Sequence, residues 1–258
     1  MKLIDTHCHL TFEGLIENVE AVIGRSIDAG VTAWITVGTE PVENHRVLKI
    51  AGRFDNMYAA LGIHPHEAKN VTADTFDELQ QMSKGPKVVA IGETGLDYYY
   101  DHSPHADQAR VFAEHLRIAK QLNLPVIIHS REAFEATIDI LDRHAKGLKV
   151  VFHCFTGTAE QAKLVISKGW HISFTGVVTF KNTNDLRAAA GEVPLQRMML
   201  ETDCPYMSPE PVRNRKINEP ALMVHTAKLL ADLKCLDFED FAEVVTSTSK
   251  NFFNLPKT

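Results

Sequence analysis

Leu3-Ile4-Asp5-Thr6-His7-Cys8-His9 begins with two apolar residues and continues as a polar alternation. That pattern suits a strand ending at a site. Successive side chains of a strand point to opposite faces, so Asp5, His7 and His9 share one face and Cys8 turns away. Two imidazoles at i and i+2 can converge on one cation. A His-X-His by itself is equally a chance pair at a strand end, and the rest of the chain has to decide.

Working outward, short apolar runs recur at 3–8, 33–38, 57–63, 88–92, 125–129, 150–154, 171–175 and 197–202. They are rich in Val, Ile, Leu, Met and Phe, as strands buried on both faces are. Amphipathic segments lie between them. One over 14–29 stops at Gly30, and another enters from Thr39 with Pro41 in its first turn. Further helices are expected at 73–83, 105–122, 132–146, 158–168, 183–190 and 220–234. Eight strands alternating with helices predict an α/β protein, a (β/α)8 TIM barrel forming a single domain over 1–258 with an extra C-terminal helix at 238–252. An open doubly wound sheet would carry a glycine-rich phosphate turn after its first strand, and the sequence has none there.

Composition sets the outer bounds. At 45% hydrophobic and 23% charged residues, the 258-residue chain can bury a sizeable core. A net charge of −6 argues against a broad basic nucleic-acid surface, so a polyanionic substrate has to be drawn in by a local site. The four cysteines, Cys8, Cys154, Cys204 and Cys235, form no C-X-X-C pair. Free thiols used as small apolar filler suit a reducing compartment. No signal peptide is expected ahead of Asp5, and no apolar run approaches about 18 residues. The expectation is a soluble, cytoplasmic protein with no membrane partner, monomeric by default.

The thirteen histidines exceed what a core needs, and their positions are informative. His7 and His9 close the first expected strand, Glu93 the fourth and His129 the fifth. His153 closes the sixth and Asp203 the eighth. The C-terminal strand ends of a barrel form one rim, where its chemistry sits. Six metal-competent side chains at such ends point to a metal site. One division gives His7, His9 and Asp203 to one ion and His129 and His153 to another, with Glu93 bridging. Paired ions of this kind sit about 3.5–4 Å apart and share a water. Two divalent cations against two carboxylates make the rim locally cationic, which suits a phosphate or phosphodiester.

Several segments together resemble the TatD family of metal-dependent deoxyribonucleases, within the amidohydrolase-like metal hydrolase barrels. They are Asp5-Thr6-His7-Cys8-His9-Leu10, Gly62-Ile63-His64-Pro65, Gly92-Glu93-Thr94-Gly95-Leu96-Asp97 and Pro125-Val126-Ile127-Ile128-His129. Phe152-His153-Cys154-Phe155-Thr156-Gly157, Glu201-Thr202-Asp203-Cys204-Pro205 and Asn218-Glu219-Pro220 complete the set. The resemblance covers residues 1–255 and implies that His7, His9, Glu93, His129, His153 and Asp203 are metal ligands. It also implies divalent-metal-dependent hydrolysis of DNA phosphodiesters, 3′→5′ exonuclease action on single strands or 3′ ends, and repair-related roles. Cys204 stands where the family often has alanine or serine.

Roles follow as expectations. Water made acidic by two ions would attack phosphorus as a metal-bound hydroxide, with Asp203 ligating metal and accepting the proton and Glu93 bridging. Glu201 and Asp5 lie one layer deeper and would hold the ligands in place. His64 and Arg131 are the candidate substrate contacts, the guanidinium as a bidentate phosphate clamp at the start of a helix. His66, His102 and His105 read as exposed loop histidines, and His45, His115, His144 and His225 as structural or surface residues of the outer helices. Arg213, Arg215, Lys216 and Lys181 could meet a nucleic-acid backbone, and Tyr98, Tyr99 and Tyr100 could stack on bases. Four imidazoles favour Zn²⁺, Mn²⁺, Co²⁺ or Ni²⁺ over Mg²⁺, which prefers oxygen-rich sites. The alternative is hydrolysis of an ester or amide bond by the same architecture, including the ester of a misacylated tRNA. Many barrels of that alternative use a carbamylated lysine on the fourth strand as the bridge, whereas this chain has Glu93 there.

Overall fold

A computed structural model describes residues 2–256. In chain order the strands are β1 (Leu3–Cys8), β2 (Val31–Val37), β3 (Met57–Leu61), β4 (Val88–Asp97), β5 (Val126–Arg131), β6 (Val150–Phe152), β7 (His171–Phe174) and β8 (Met198–Leu200). The helices are α1 (Val19–Asp28), α2 (Pro41–Ala51), α3 (Ala73–Met82), α4 (His105–Leu122), α5 (Phe134–His144), α6 (Ala159–Ser167), α7 (Asn184–Glu192), α8 (Met223–Leu233) and α9 (Phe238–Phe253). Strand order in the parallel sheet follows chain order from β1 to β8, the topology of a (β/α)8 barrel.

The chain gathers into two compact units. The first takes, of the described residues, 2–36 and 154–256, and so holds β1, β2 up to Thr36, β7 and β8. Here β1 pairs with β2 from Leu3 opposite Val31, and β7 with β8 from Ile172 opposite Met198. β8 returns beside β1, where the Thr6 hydroxyl donates to the Leu200 carbonyl at 2.9 Å. The extra helix α9 packs on β1 and β8, and the Thr246 hydroxyl donates to the Lys2 carbonyl at 2.6 Å. The second unit, residues 37–153, holds β3 to β6, paired in sequence through Ala60 with Ala90, Gly95 with His129 and Ile127 with Val151.

Local chemistry explains the helix ends. Pro41 at the start of α2 has no N–H to leave unpaired. Thr158 and Gln161 form a capping box at α6, each side chain accepting from the other's backbone N–H. The first amphipathic segment enters through a 3-10 turn at Ile16–Asn18 and becomes α-helical only from Val19, five residues later than its periodicity suggests.

The larger departure is in β4. Its apolar run ends at Gly92, but the strand continues to Asp97, so Glu93 lies inside it and does not close it. A bulge between Ile91 and Thr94 shifts the register against β5. The carboxylates of Glu93 and Asp97 are tolerated in this strand because imidazoles satisfy them. Likewise β5 runs two residues past His129 to Arg131, which is the last residue of a strand and not the start of a helix. His153 falls just beyond β6, and Asp203 three residues beyond β8.

Candidate metal centre

In the first unit, β1 delivers His7 fully buried and His9 just past its end. Two bonds fix this edge to the segment after β8: the His9 N–H donates to the Cys204 carbonyl and the Asp203 N–H to the His7 carbonyl, both at 2.9 Å. Asp203 adopts the left-handed conformation with φ of 51°, which turns the chain back at the end of this segment and which Asp tolerates better than most residues. His7 Nε2 lies 3.2 Å from His9 Nε2, and Asp203 Oδ1 lies 3.3 Å from His9 Nε2 and 3.7 Å from His7 Nε2. Ligands bound at 2.0–2.2 Å around a tetrahedral ion are about 3.3 Å from one another. Two imidazole nitrogens and one carboxylate oxygen at this spacing fit a divalent cation.

Beneath them Asp5 is fully buried and ties β1 to the stretch after β8. Its Oδ1 accepts from the Thr202 N–H at 2.9 Å and the His7 N–H at 3.3 Å, and its Oδ2 from the Thr202 hydroxyl at 2.5 Å. Burial dominates these neutral donors and pushes its carboxyl up to about 7. Glu201 accepts from the Cys154 N–H at 2.5 Å, fixing the backbone that follows His153 in the chain. Burial also pushes the Cys8 thiol up, and its Sγ–H donates to the Ile35 carbonyl at 3.3 Å.

In the second unit the cluster is built around Glu93. Its Oε1 lies 2.8 Å from His129 Nδ1, 2.8 Å from His153 Nε2 and 3.5 Å from His64 Nε2. Glu93, His129 and His64 form one group of side chains able to hold a metal ion. Two neighbouring glycines bring the strands this close. At Gly95, with φ of 143°, a Cβ would lie 2.0 Å from the His129 carbonyl oxygen. Any other residue there would push away the backbone that carries His129.

Burial favours a protonated Glu93, but His153, His64 and His129 outweigh it and hold the carboxyl well below the usual carboxylate range. His129 shows the reverse balance. Burial opposes its charge, yet bonds to Asp97 and Glu93 raise its pKa. His64 is driven well below its ordinary value by burial. Its Nδ1 accepts from the His66 N–H at 3.2 Å, so its ring proton is on Nε2, toward Glu93.

Asp97 joins the site although its sequence context alone does not single it out. Its Oδ2 accepts from His129 Nε2 at 2.9 Å and His66 Nε2 at 3.1 Å, and its Oδ1 from the Tyr99 and Tyr100 N–H groups at 3.0 and 2.9 Å. A carboxylate behind a ligand histidine fixes the tautomer and frees the other nitrogen, here Nδ1, for a metal. The signal was present as the period-two spacing of Glu93, Gly95 and Asp97, but it lay past the expected strand end. His66 is therefore a half-buried partner of Asp97 and not an exposed loop residue. His115 is fully buried: it accepts the Ile63 N–H on Nε2 at 3.0 Å and donates from Nδ1 to the Val111 carbonyl at 2.7 Å, which anchors the backbone entering His64. Arg131 is exposed, its guanidinium 4.2 Å from the Tyr99 ring and 4.7 Å from the Tyr100 ring.

A parallel (β/α)8 topology with imidazoles and carboxylates clustered in and just beyond the C-terminal parts of its strands is the arrangement of a metal-dependent hydrolase. The chain belongs to the TatD related DNase family, whose profile matches residues 4–254. It is 38% identical to the uncharacterized metal-dependent hydrolase YabD of Bacillus subtilis, over 98% of this chain and 99% of that protein. It is 31% identical to the 3′-5′ ssDNA/RNA exonuclease TatD of Shigella flexneri, over 98% and 99% of the two chains. Among solved structures, the TatD homologue YjjV of Escherichia coli superposes with a TM-score of 0.93 at 32% identity, covering 98% of each chain. The protein is a metal-dependent hydrolase acting on ester bonds. No helix of the described residues is long and apolar enough to cross a membrane.

Proposed function

We propose that this chain is a single hydrolase domain that cleaves DNA phosphodiester bonds as a 3′→5′ exonuclease on single strands, using two divalent cations. The observation that carries this reading is the spacing of potential ligand atoms within each unit: 3.2–3.7 Å among His7, His9 and Asp203, and 2.8 Å from Glu93 to His129 and to His153. The relative named as a 3′-5′ ssDNA/RNA exonuclease supports the substrate class and direction. In this reading His7, His9 and Asp203 would hold one ion, and Glu93, His129 and His153 the other.

When bound, the cations supply charge for the phosphoryl oxygens and acidify water. The remaining roles belong to the side chains. Asp203 takes the proton of the attacking water. His64 presents its Nε2–H to a phosphate oxygen, and Arg131 holds a second phosphate. Asp97 orients His129, while Asp5 and Glu201 hold the backbone at Thr202 and Cys154.

The test uses metal-stripped protein with Mn²⁺, Zn²⁺ or Mg²⁺ restored, and a single-stranded oligonucleotide labelled at its 3′ or 5′ end. Stepwise loss from the 3′ end, absent with Glu93→Ala, is the expected result. No cleavage with any metal despite bound ions would overturn the nuclease reading in favour of ester or amide substrates.

A further inference from the structure

Beside His9 the first unit exposes two large aromatic side chains that no role so far uses. Phe12 is 41% exposed and Tyr206 53%. The Tyr206 ring meets His9 edge to face at 6.3 Å between centroids and Phe12 at 5.9 Å, interplanar angles 70° and 68°. The two rings form a corner contiguous with an expected metal ligand.

The backbone holds this corner in place. The Phe12 N–H donates to the His9 carbonyl at 3.1 Å, and the Tyr206 N–H to the Asp203 carbonyl at 3.1 Å. Asn218, almost fully buried, donates to the Thr202 carbonyl at 3.1 Å and the Tyr206 carbonyl at 2.7 Å, while its Oδ1 accepts from the Glu219 N–H at 2.9 Å. Exposed aromatics cost hydration, and here backbone hydrogen bonds hold both of them beside His9. The same two loops line a cleft of about 460 Å³ through Gly14, Leu15 and Ile217. Its charged groups are Arg25, Arg215 and Lys216 against the single carboxylate of Glu219. Arg25 and Arg215 both reach Glu219, at 2.5 and 3.4 Å, leaving an excess of two positive charges.

We propose that Tyr206, backed by Phe12, is the stacking platform for the terminal nucleobase of a single-stranded nucleic acid, whose backbone then runs over the Arg215–Lys216 cleft. This rests on the nuclease reading above. A nucleotide whose phosphate lies at His9 and Asp203 carries its base one sugar away, within reach of a ring packed on His9. Every base has a π-face, so stacking holds any sequence while requiring that a base be present. That suits an exonuclease, which must accept each nucleotide in turn, and the cationic cleft beside it favours a polyanion over a peptide or lipid.

The experiment compares two single-stranded oligonucleotides, one intact and one abasic at its 3′-terminal nucleotide, with wild-type, Tyr206→Ala and Tyr206→Phe proteins loaded with Mn²⁺. Tyr206→Ala is expected to lower kcat/KM on the intact substrate by roughly tenfold or more, chiefly through KM, with a far smaller loss on the abasic one. Tyr206→Phe restores the discrimination. A terminal 2-aminopurine, whose fluorescence is quenched by stacking, should lose its quench in Tyr206→Ala. Equal loss on both substrates, or no loss on either, overturns the stacking role and leaves the nuclease standing. Failure of wild-type protein to cleave either substrate with metal bound overturns the nuclease reading and this inference together.

Discussion

Asp5 and Glu93 are both carboxylates buried within strands, and the protein drives them in opposite directions. Burial alone raises a carboxyl's pKa. Asp5 is surrounded by neutral donors, two amides and the Thr202 hydroxyl, and rises to about 7. Glu93 is surrounded by His129, His153 and His64, and falls well below the carboxylate range. The first unit thus uses its buried acid as a tie between chain segments. The second uses its buried acid as a charge among imidazoles. Burial sets how strongly the neighbours are felt, and the neighbours set the sign.

The sharpest way to break this contrast is to remove each charge at constant shape. Glu93→Gln should cost at least about a thousandfold in cleavage rate and lower the metal content, because metal catalysis contributes several kcal/mol. Retained activity at full metal loading would remove Glu93 from the centre. Asp5→Asn, by contrast, keeps an acceptor for the two amides and should cost only about 1 kcal/mol of stability. Measured by denaturant unfolding of metal-stripped protein, that cost should shrink with rising pH. The folded Asp5 holds its proton up to about 7, whereas the unfolded one releases it near 3.8. Wild-type stability is therefore fully present below 3.8 and lost as pH rises through 7.

His115 tests the same principle on a base. Burial lowers it from 6.5 to about 4, so the unfolded chain takes up a proton that the folded chain refuses. Its contribution is present above pH 6.5 and lost as pH falls through 4, about 3 kcal/mol over that window. His115→Gln should flatten this part of the pH–stability curve, and an unchanged slope would show that His115 is not the group responsible. A last test falls on Asp97. Asp97→Asn should weaken metal binding by about 10- to 100-fold without unfolding the protein, as read by metal titration. Unaltered affinity would mean that Asp97 supports only Tyr99 and Tyr100.

Each prediction depends on groups that differ in how visible they were along the chain. The sequence by itself determined the βα alternation, the positions of His7, His9, Glu93, His129, His153 and Asp203 at or near strand ends, and the shared face of Asp5, His7 and His9. Those properties depend on local periodicity, which residues a few positions apart reveal. Tertiary structure alone decided that β4 continues through Glu93 to Asp97, because the polar residues beyond Gly92 are stabilised by His129, about thirty residues away. It likewise decided that Asp5 is satisfied by Thr202, that His115 holds the chain entering His64 and that Tyr206 packs on His9. Apolar periodicity reports which face is buried, while the partner of a buried polar group is set by whichever strand or loop folds against it.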